Sequence, residues 1–368
     1  MPRLHADMEK LQSNETPYLR NYILKWNERY NENFPRRKFS ALAIDVYGRT
    51  SCVTRYITPI ELPQLNPDNF QVTTQQLAKY ISKFSFTDYN KYYQNIWLTA
   101  KQFLNIMVGS VVDHAVTLAC CLQSLDLHVW LLLGYGTPNG SSAYVLTRES
   151  TSNSYAPTYY IFDVTTGTKY NILDSISPLQ IIYCVINRKN VWANTQRTNK
   201  VTNTRFDFSK ISDWLPLFTE EIVGPSISIQ QRVAFRTLSN EQYLLQSKLE
   251  KKIHKKIAKL TNGETIKFCS SLSKTFKKHM LKFINGCFSD QPDFDIAQTI
   301  LSVQFSHKQK MKGFLVCKTY TNVSSLLEFI DNTDLLKPLR ADSEYILATQ
   351  LVSWPNQIIL WILIAVVY

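Results

Sequence analysis

From about Ser110 to Leu125, apolar residues recur every three or four positions, at Val111, Ala115, Leu118, Leu122 and Leu125. That period predicts a helix with one buried face. Strand-like runs follow in series over His128–Leu133, Ala143–Thr147, Tyr159–Val164, Ile181–Ile186 and Val191–Gln196. The Gly134–Gly140 region, a Ser/Thr/Asn loop and Thr166-Gly167 separate the first of these. A helix followed by an antiparallel meander is the pattern of an α+β fold.

Upstream, residues 1–33 read as a polar helical arm that ends at Pro35-Arg36-Arg37. Phe39–Val46 and Ser51–Ile57 flank Tyr47-Gly48-Arg49 and predict a hairpin. Pro59, Pro63 and Pro67 mark a linker, Thr73–Phe86 is helix-like, and an aromatic-rich stretch runs on through Trp97. Downstream, Leu245, Leu249, Ile253 and Ile257 predict a helix from Gln242 to Leu260, stopped by Thr261-Asn262-Gly263. A second amphipathic helix spans Ser270–Ile284, with Phe276, Met280 and Phe283 as its stripe. A strand near Phe314, a helix over Val323–Ile330 and a hairpin turning at Trp354-Pro355-Asn356-Gln357 complete the chain.

The apolar run Ile358–Tyr368 is shorter than the roughly 20 residues a bilayer span needs, so it is expected to be a buried strand and no transmembrane segment is expected. Met1–Asn33 is too polar for a signal peptide. Four segments result: an N-terminal arm, hairpin and linker (1–62), a core (63–200), a basic helical segment (201–290), and a strand–helix–hairpin segment completing the fold (291–368).

Charge adds a second feature. The net charge is +12, and between Lys248 and Lys282 only Glu250 and Glu264 oppose many lysines. Lys251, Lys252, Lys255, Lys256, Lys277 and Lys278 form a candidate basic surface for an acidic partner or an anionic membrane face. The bland alternative is two solvated helix faces. Nucleic acid is disfavoured, because the lysines are not interleaved with exposed aromatics. The seven cysteines are scattered and form no CxxC pair, which reads as reduced thiols rather than a disulfide or zinc framework. No metal or cofactor is expected.

One constellation bears on chemistry. Thiol enzymes place a cysteine at a helix N-terminus, a histidine on a following strand and an aspartate on the next. Gly109-Ser110-Val111-Val112-Asp113-His114-Ala115 resembles the Gly-x-Cys-x-x-His-Ala helix motif of transglutaminase-like enzymes. Ser142-Ala143-Tyr144-Val145 resembles their His-Ala-Trp/Tyr-Val strand, and Phe162-Asp163-Val164-Thr165-Thr166-Gly167 their Asp strand and turn. The resemblance puts Val111 at the nucleophile position, Ser142 at the base position and Asp163 at the third. Ser110, His114 and Tyr144 would line the candidate cleft. Cys120 lies about 13 Å along the helix from Val111 and roughly 180° round it, so it does not reach the same place. For Asp163 the competing reading is a turn aspartate, and for His114 a structural hydrogen-bonder.

The likeness is closest to the C-terminal region of the coiled-coil and C2 domain-containing protein 2A family of ciliary transition-zone proteins. Val129-Trp130-Leu131-Leu132-Leu133-Gly134, Ala143-Tyr144-Val145-Leu146-Thr147 and Asn190-Val191-Trp192-Ala193-Asn194-Thr195-Gln196 are similar to family stretches. So are Asp45-Val46-Tyr47-Gly48-Arg49 and the ending from Glu344 to Tyr368. The resemblance implies a transglutaminase-like or papain-like core, a helix packed on an antiparallel sheet, without catalysis. It also implies a scaffold of the transition zone and basal body, on the cytoplasmic side. Its partners would be other transition-zone proteins, the B9-domain group and associated membrane proteins. No coiled coil or C2 domain is read in this chain. Two other readings remain: an active cysteine enzyme with a relocated nucleophile, and a basic lipid- or polyanion-binding module.

Overall fold

The structure is a computed structural model that describes residue 8 and residues 10–65, 72–88, 95–149, 157–198, 200–236, 242–260, 267–286, 311–332 and 344–367. Outside the described residues lie the first residues of the predicted arm, Pro67, most of the aromatic-rich stretch, the Ser/Thr/Asn loop, the Thr261–Gly263 stop and Cys287. The side chains of Lys282 and Phe283 lie outside them too. The chain forms two compact units, Met1–Ala234 and Phe235–Tyr368. Residues 201–234, read with the basic helices from sequence, belong to the first unit.

The first unit opens with helix α1, Pro17–Asn33. The side chain of Thr16 caps it by accepting from the Leu19 amide at 3.3 Å, and Pro17 takes the first turn, where its missing N–H costs nothing. This helix is not a polar arm. Ile23, Leu24, Asn27 and Tyr30 are buried, and the Tyr30 hydroxyl bonds the carbonyls of Tyr183 and Asn194 at 3.2 and 3.0 Å. Polar residues at Asn27 and Tyr30 hide the stripe, since both are buried with their bonds made internally.

Strands β1 (Leu42–Ile44) and β2 (Thr50–Cys52) form the expected hairpin. Asp45 Oδ1 holds its turn by accepting from the Tyr47 and Arg49 amides, both at 2.9 Å, and Gly48 supplies the positive φ of +76°. The second strand is shorter than its pattern suggests, because Val53–Tyr56 winds into a 3₁₀ turn.

Then come α2 (Thr74–Ile81), β3 (Ser85–Phe86), α3 (Ala100–Ile106), β4 (Val108–Gly109) and α4 (Val111–Gln123). Seven further strands follow: β5 (His128–Gly136), β6 (Gly140–Glu149), β7 (Thr158–Asp163), β8 (Thr168–Asn171), β9 (Leu179–Ile186), β10 (Val191–Asn194) and β11 (Trp214–Pro216). They make one sheet in the order β11-β10-β9-β5-β6-β7-β8, every neighbouring pair antiparallel. The meander over β5–β7 is the predicted one. The edge strands β8 and β11 were not predicted, being four and three residues long, too short to display a period.

Helix α4 packs on β5 and β6, and α2 and α3 pack on α4. It is therefore buried all round, from Asp113 to Leu122, rather than along one face. One sheet face builds a cluster of Trp130, Leu132, Tyr144, Leu146, Ile161 and Trp214, joined by Phe206 and Phe208. Residues alternating with these, Leu131, Val145, Phe162 and Cys184, are buried too, so both faces are covered.

The second unit contains α5 (Gln242–Leu260), β12 (Lys267–Phe268), α6 (Ser270–Gly286), β13 (Met311–Thr319), α7 (Val323–Asp331), β14 (Glu344–Trp354) and β15 (Gln357–Val367), with sheet order β12-β14-β15-β13. Leu249, Ile253 and Ile257 of α5 and Leu326 and Ile330 of α7 pack with Tyr345, Leu347, Leu360, Ile362 and Ile364. Phe276, Met280 and Ile284 of α6 pack with the alternating set Ile346, Ala348, Leu363, Ala365 and Val367. Helices thus cover both faces of the sheet. This explains the apolar run Ile358–Val367: a strand buried on two sides cannot alternate. Gln246 closes part of the open edge of β14, its amide donating to Thr349 O at 2.9 Å and accepting from Leu351 N at 3.3 Å.

Ile362 and Leu363 point to opposite faces of β15. Replacing either with Ala is therefore expected to lower unfolding stability by about 2–4 kcal/mol, measured by denaturant titration. A sheet with one solvent face would leave one of the two near neutral.

Candidate functional site

The start of α4 is where a thiol enzyme would hold its nucleophile, and here it is a closed joint. Ser110 is the N-cap, its Oγ accepting from the Asp113 amide at 3.4 Å. Asp113 Oδ2 returns the bond, accepting from the Ser110 amide at 2.7 Å and from Ser110 Oγ at 2.8 Å. Its other oxygen accepts from the Leu98 amide at 2.7 Å, tying the helix to the segment before α3. Ser110 and Asp113 are buried. Val111, the first helical residue, is half-buried and apolar, so it can neither attack nor exchange a proton. Gly109 admits the chain because a Cβ there would lie 2.7 Å from the Phe103 ring.

His114 is fully buried, stacked on Phe86 with ring centroids 3.8 Å apart and edge-on to Phe103 at 4.6 Å. Its Nδ1 lies 2.8 Å from Ser110 O and its Nε2 3.3 Å from Phe84 O. Burial pushes its pKa down to about 4, against two carbonyls that favour the charged form. At neutral pH it is an uncharged strut between the helix start and β3.

Ser142, Tyr144 and Asp163 come together elsewhere. Tyr144 pairs with Asp163 across β6 and β7, and Ser142 is two residues away on the same face. That face belongs to the cluster around Trp130 and Trp214, which among the described residues holds no member of α4. Burial, and then the Asp163 charge, push the Tyr144 phenol up to about 12, with a Ser142 hydrogen bond acting in the opposite sense. The Asp163 carboxylate is engaged locally. It accepts from the Thr165 amide at 2.9 Å, from Thr165 Oγ1 at 2.7 Å and from Thr166 Oγ1 at 3.2 Å. The candidate cleft residues Ser110, His114 and Tyr144 are all buried, so they line packed interior rather than an open cleft.

Cys52, Cys120, Cys121 and Cys184 are buried, and burial raises all four thiols, Cys52 and Cys120 to about 12. Cys269 and Cys317 are part-exposed. Among the described residues no cluster of His, Cys, Asp or Glu has the makings of a metal site, and no helix is long and apolar enough to cross a membrane.

The lysines ride on two helices. Lys251, Lys252, Lys255 and Lys256 ride on α5, while Lys277 and Lys278 ride on α6, which covers the opposite face of the sheet. Lys256 pairs with Asp331 at 2.6 Å and Lys277 with Glu250 at 3.0 Å. Lys251, Lys252, Lys255 and Lys278 stay exposed. The apolar stripes of α5 and α6 dock on opposite faces of one sheet, and the Lys277–Glu250 ion pair links the two helices.

Residues 95–217, from just before α3 through β11, match the family model described as the CEP76 peptidase-like domain. Coiled-coil and C2 domain-containing protein 2A of Drosophila melanogaster is 28% identical over 334 residues, 88% of this chain and 24% of its own length. Over most of its length the chain is thus similar to coiled-coil and C2 domain-containing protein 2A. Human Protein CC2D2B is 24% identical over 345 residues, 90% of this chain and 23% of its own length. The chain therefore spans about a quarter of the length of these curated relatives. Both alignments cover far more of the chain than the peptidase-like match does, so the likeness to this family extends beyond that domain.

A groove of about 360 Å³ went unread in the sequence. Arg55, Arg188, Lys189 and the segment Val223–Ser228 line it. Its one sequence signal is Asn187-Arg188-Lys189-Asn190, a two-cation turn between β9 and β10.

His114 also sets a pH dependence. Its folded pKa, about 4, lies below the ordinary 6.5, so the unfolded chain binds the proton more readily between those values. Its stabilising contribution is complete above 6.5 and is lost as pH falls toward 4. Between pH 7 and pH 5 the loss is expected to be about 2 kcal/mol, measured by denaturant titration. A His114→Asn variant should show a shallower fall over that window; an unchanged slope would contradict the assignment.

Proposed function

We propose that the chain is a non-catalytic protein-interaction module of the ciliary transition zone, supporting cilium assembly and gating. The observation that carries this reading is its homology to coiled-coil and C2 domain-containing protein 2A across nearly the whole chain. The start of α4 adds chemical support. In a transglutaminase-like or papain-like reading of the core, Val111 occupies the nucleophile position, Ser142 the base position, and Asp163 is committed to its own turn. A valine has no ionisable group, and a serine hydroxyl is no base near neutral pH. The proposed partners are other transition-zone proteins, the B9-domain group and associated membrane proteins, met on the cytoplasmic side at the transition zone and basal body.

The relocated-nucleophile reading has little to stand on. The four buried thiols are held in their protonated form, and a protonated thiol is a poor nucleophile. The lipid-binding reading is weakened where Asp331 and Glu250 pair with Lys256 and Lys277.

Two measurements check the proposal. The full chain, expressed with an affinity tag in ciliated cells, is expected to recover transition-zone proteins and to localise at the ciliary base; recovery of none would overturn the scaffold role. With an alkylating thiol reagent, Cys269 and Cys317 are expected to label first and Cys52, Cys120, Cys121 and Cys184 only on unfolding. Rapid native labelling of one buried cysteine would revive the enzyme reading.

A further inference from the structure

The groove in the first unit carries features that its packing role does not explain. One wall is the tip of the β9–β10 hairpin, where Asn187 Oδ1 accepts from the Lys189 amide at 2.8 Å and the Asn190 amide at 3.1 Å. These bonds fix the turn and hold Arg188 and Lys189 outward at its apex, both exposed. Neither has a carboxylate partner among the described ion pairs. Arg55 lines the groove as well, but Glu15 holds it at 2.6 Å.

The other wall is a segment without regular structure. It is anchored where the Ile229 amide and Ser228 Oγ both donate to Arg55 O, at 3.2 Å each. From it Val223 and Ile227 stand 81% and 71% exposed, with Pro225 between them. A rigid turn presenting two unpaired cations therefore faces an anchored segment presenting two apolar side chains, across a cavity large enough for several side chains. Among the described residues no aromatic side chain lines it, so stacked bases find no platform on them.

We propose that this groove binds an acidic peptide segment of a partner protein, with carboxylates against Arg188 and Lys189 and an apolar side chain against Val223 and Ile227. Charge complementarity selects the sign of the segment, and the apolar wall distinguishes it from a free anion. The inference rests on the protein-interaction reading and names a surface for it. If it fails while transition-zone proteins are still recovered, the partners use another surface and that reading stands.

Fluorescence anisotropy of the full chain with a fluorescein-labelled peptide of glutamates interrupted by leucines tests the proposal. Saturable binding is expected, weakened by added salt. Arg188→Glu with Lys189→Glu should weaken it at least about tenfold. Val223→Ser with Ile227→Ser should weaken it several-fold, while Lys251→Glu with Lys255→Glu should leave it within about twofold. A lysine-and-leucine peptide should bind the Arg188→Glu, Lys189→Glu variant better than wild type, which shows that the variant is folded and the groove intact. Absence of binding, or equal binding to both charge variants, would overturn the proposal. Equal affinity for a leucine-free glutamate peptide, or full displacement by inorganic phosphate, would reduce the site to a simple anion site and overturn it likewise.

Discussion

The Asp113 carboxylate is the point on which the first unit turns. A helix start leaves its first amides without intrahelical partners, and at a buried start no water can take them. Helix α4 begins in the interior, with its sides enclosed by α2, α3 and the sheet. Asp113 answers this by bonding the Ser110 amide and hydroxyl with one oxygen and the Leu98 amide with the other. One side chain thus caps the helix and fastens it to the chain before α3. His114, a residue later, extends the same joint to β3 through its contacts with Phe84 and Phe86.

That arrangement also bears on the chemistry of the helix start. The positive end of a helix lowers a thiol pKa when a cysteine faces it. Here the position nearest that end is Val111, and a buried carboxylate in the first turn opposes the field that would stabilise a thiolate. His114 is held uncharged by burial between two carbonyls, and Asp163 is absorbed by the turn before β8. His114 and Asp163 are each engaged in holding a segment in place. A scaffold reading asks for nothing more of them.

Much of the fold was legible because strong periods survive in the sequence. Helix α5 falls where Leu245, Leu249, Ile253 and Ile257 recur every four residues. The strands β5, β6, β7 and β9 follow their apolar runs. The misses have local causes. Helix α1 hides its buried face because Asn27 and Tyr30 satisfy their polar atoms internally. The edge strands β8 and β11 are too short for any period to show. At the candidate site, the motif positions were legible but their distribution was not, since Ser110 and His114 pack with the helix joint while Tyr144, with Ser142 and Asp163 beside it on the sheet, packs in the Trp130–Trp214 cluster. Sequence proximity does not reveal that the apolar stripes of α5 and α6, which carry the lysine run, dock on opposite faces of a sheet. The groove at Arg188 and Lys189 joins segments more than 30 residues apart, beyond the reach of local pattern.

The central claim, that the α4 start is a structural joint with its electropositive end already satisfied, is tested most directly by putting the missing chemistry back. In a Val111→Cys, Ser142→His variant, the thiol pKa is measured from the pH dependence of its alkylation rate. The account predicts a value at or above the ordinary thiol range of about 8.5, with reactivity no greater than that of a free thiol. A pKa below about 7 with accelerated alkylation would mean that the enzyme site is preserved apart from its two side chains, and would contradict the account.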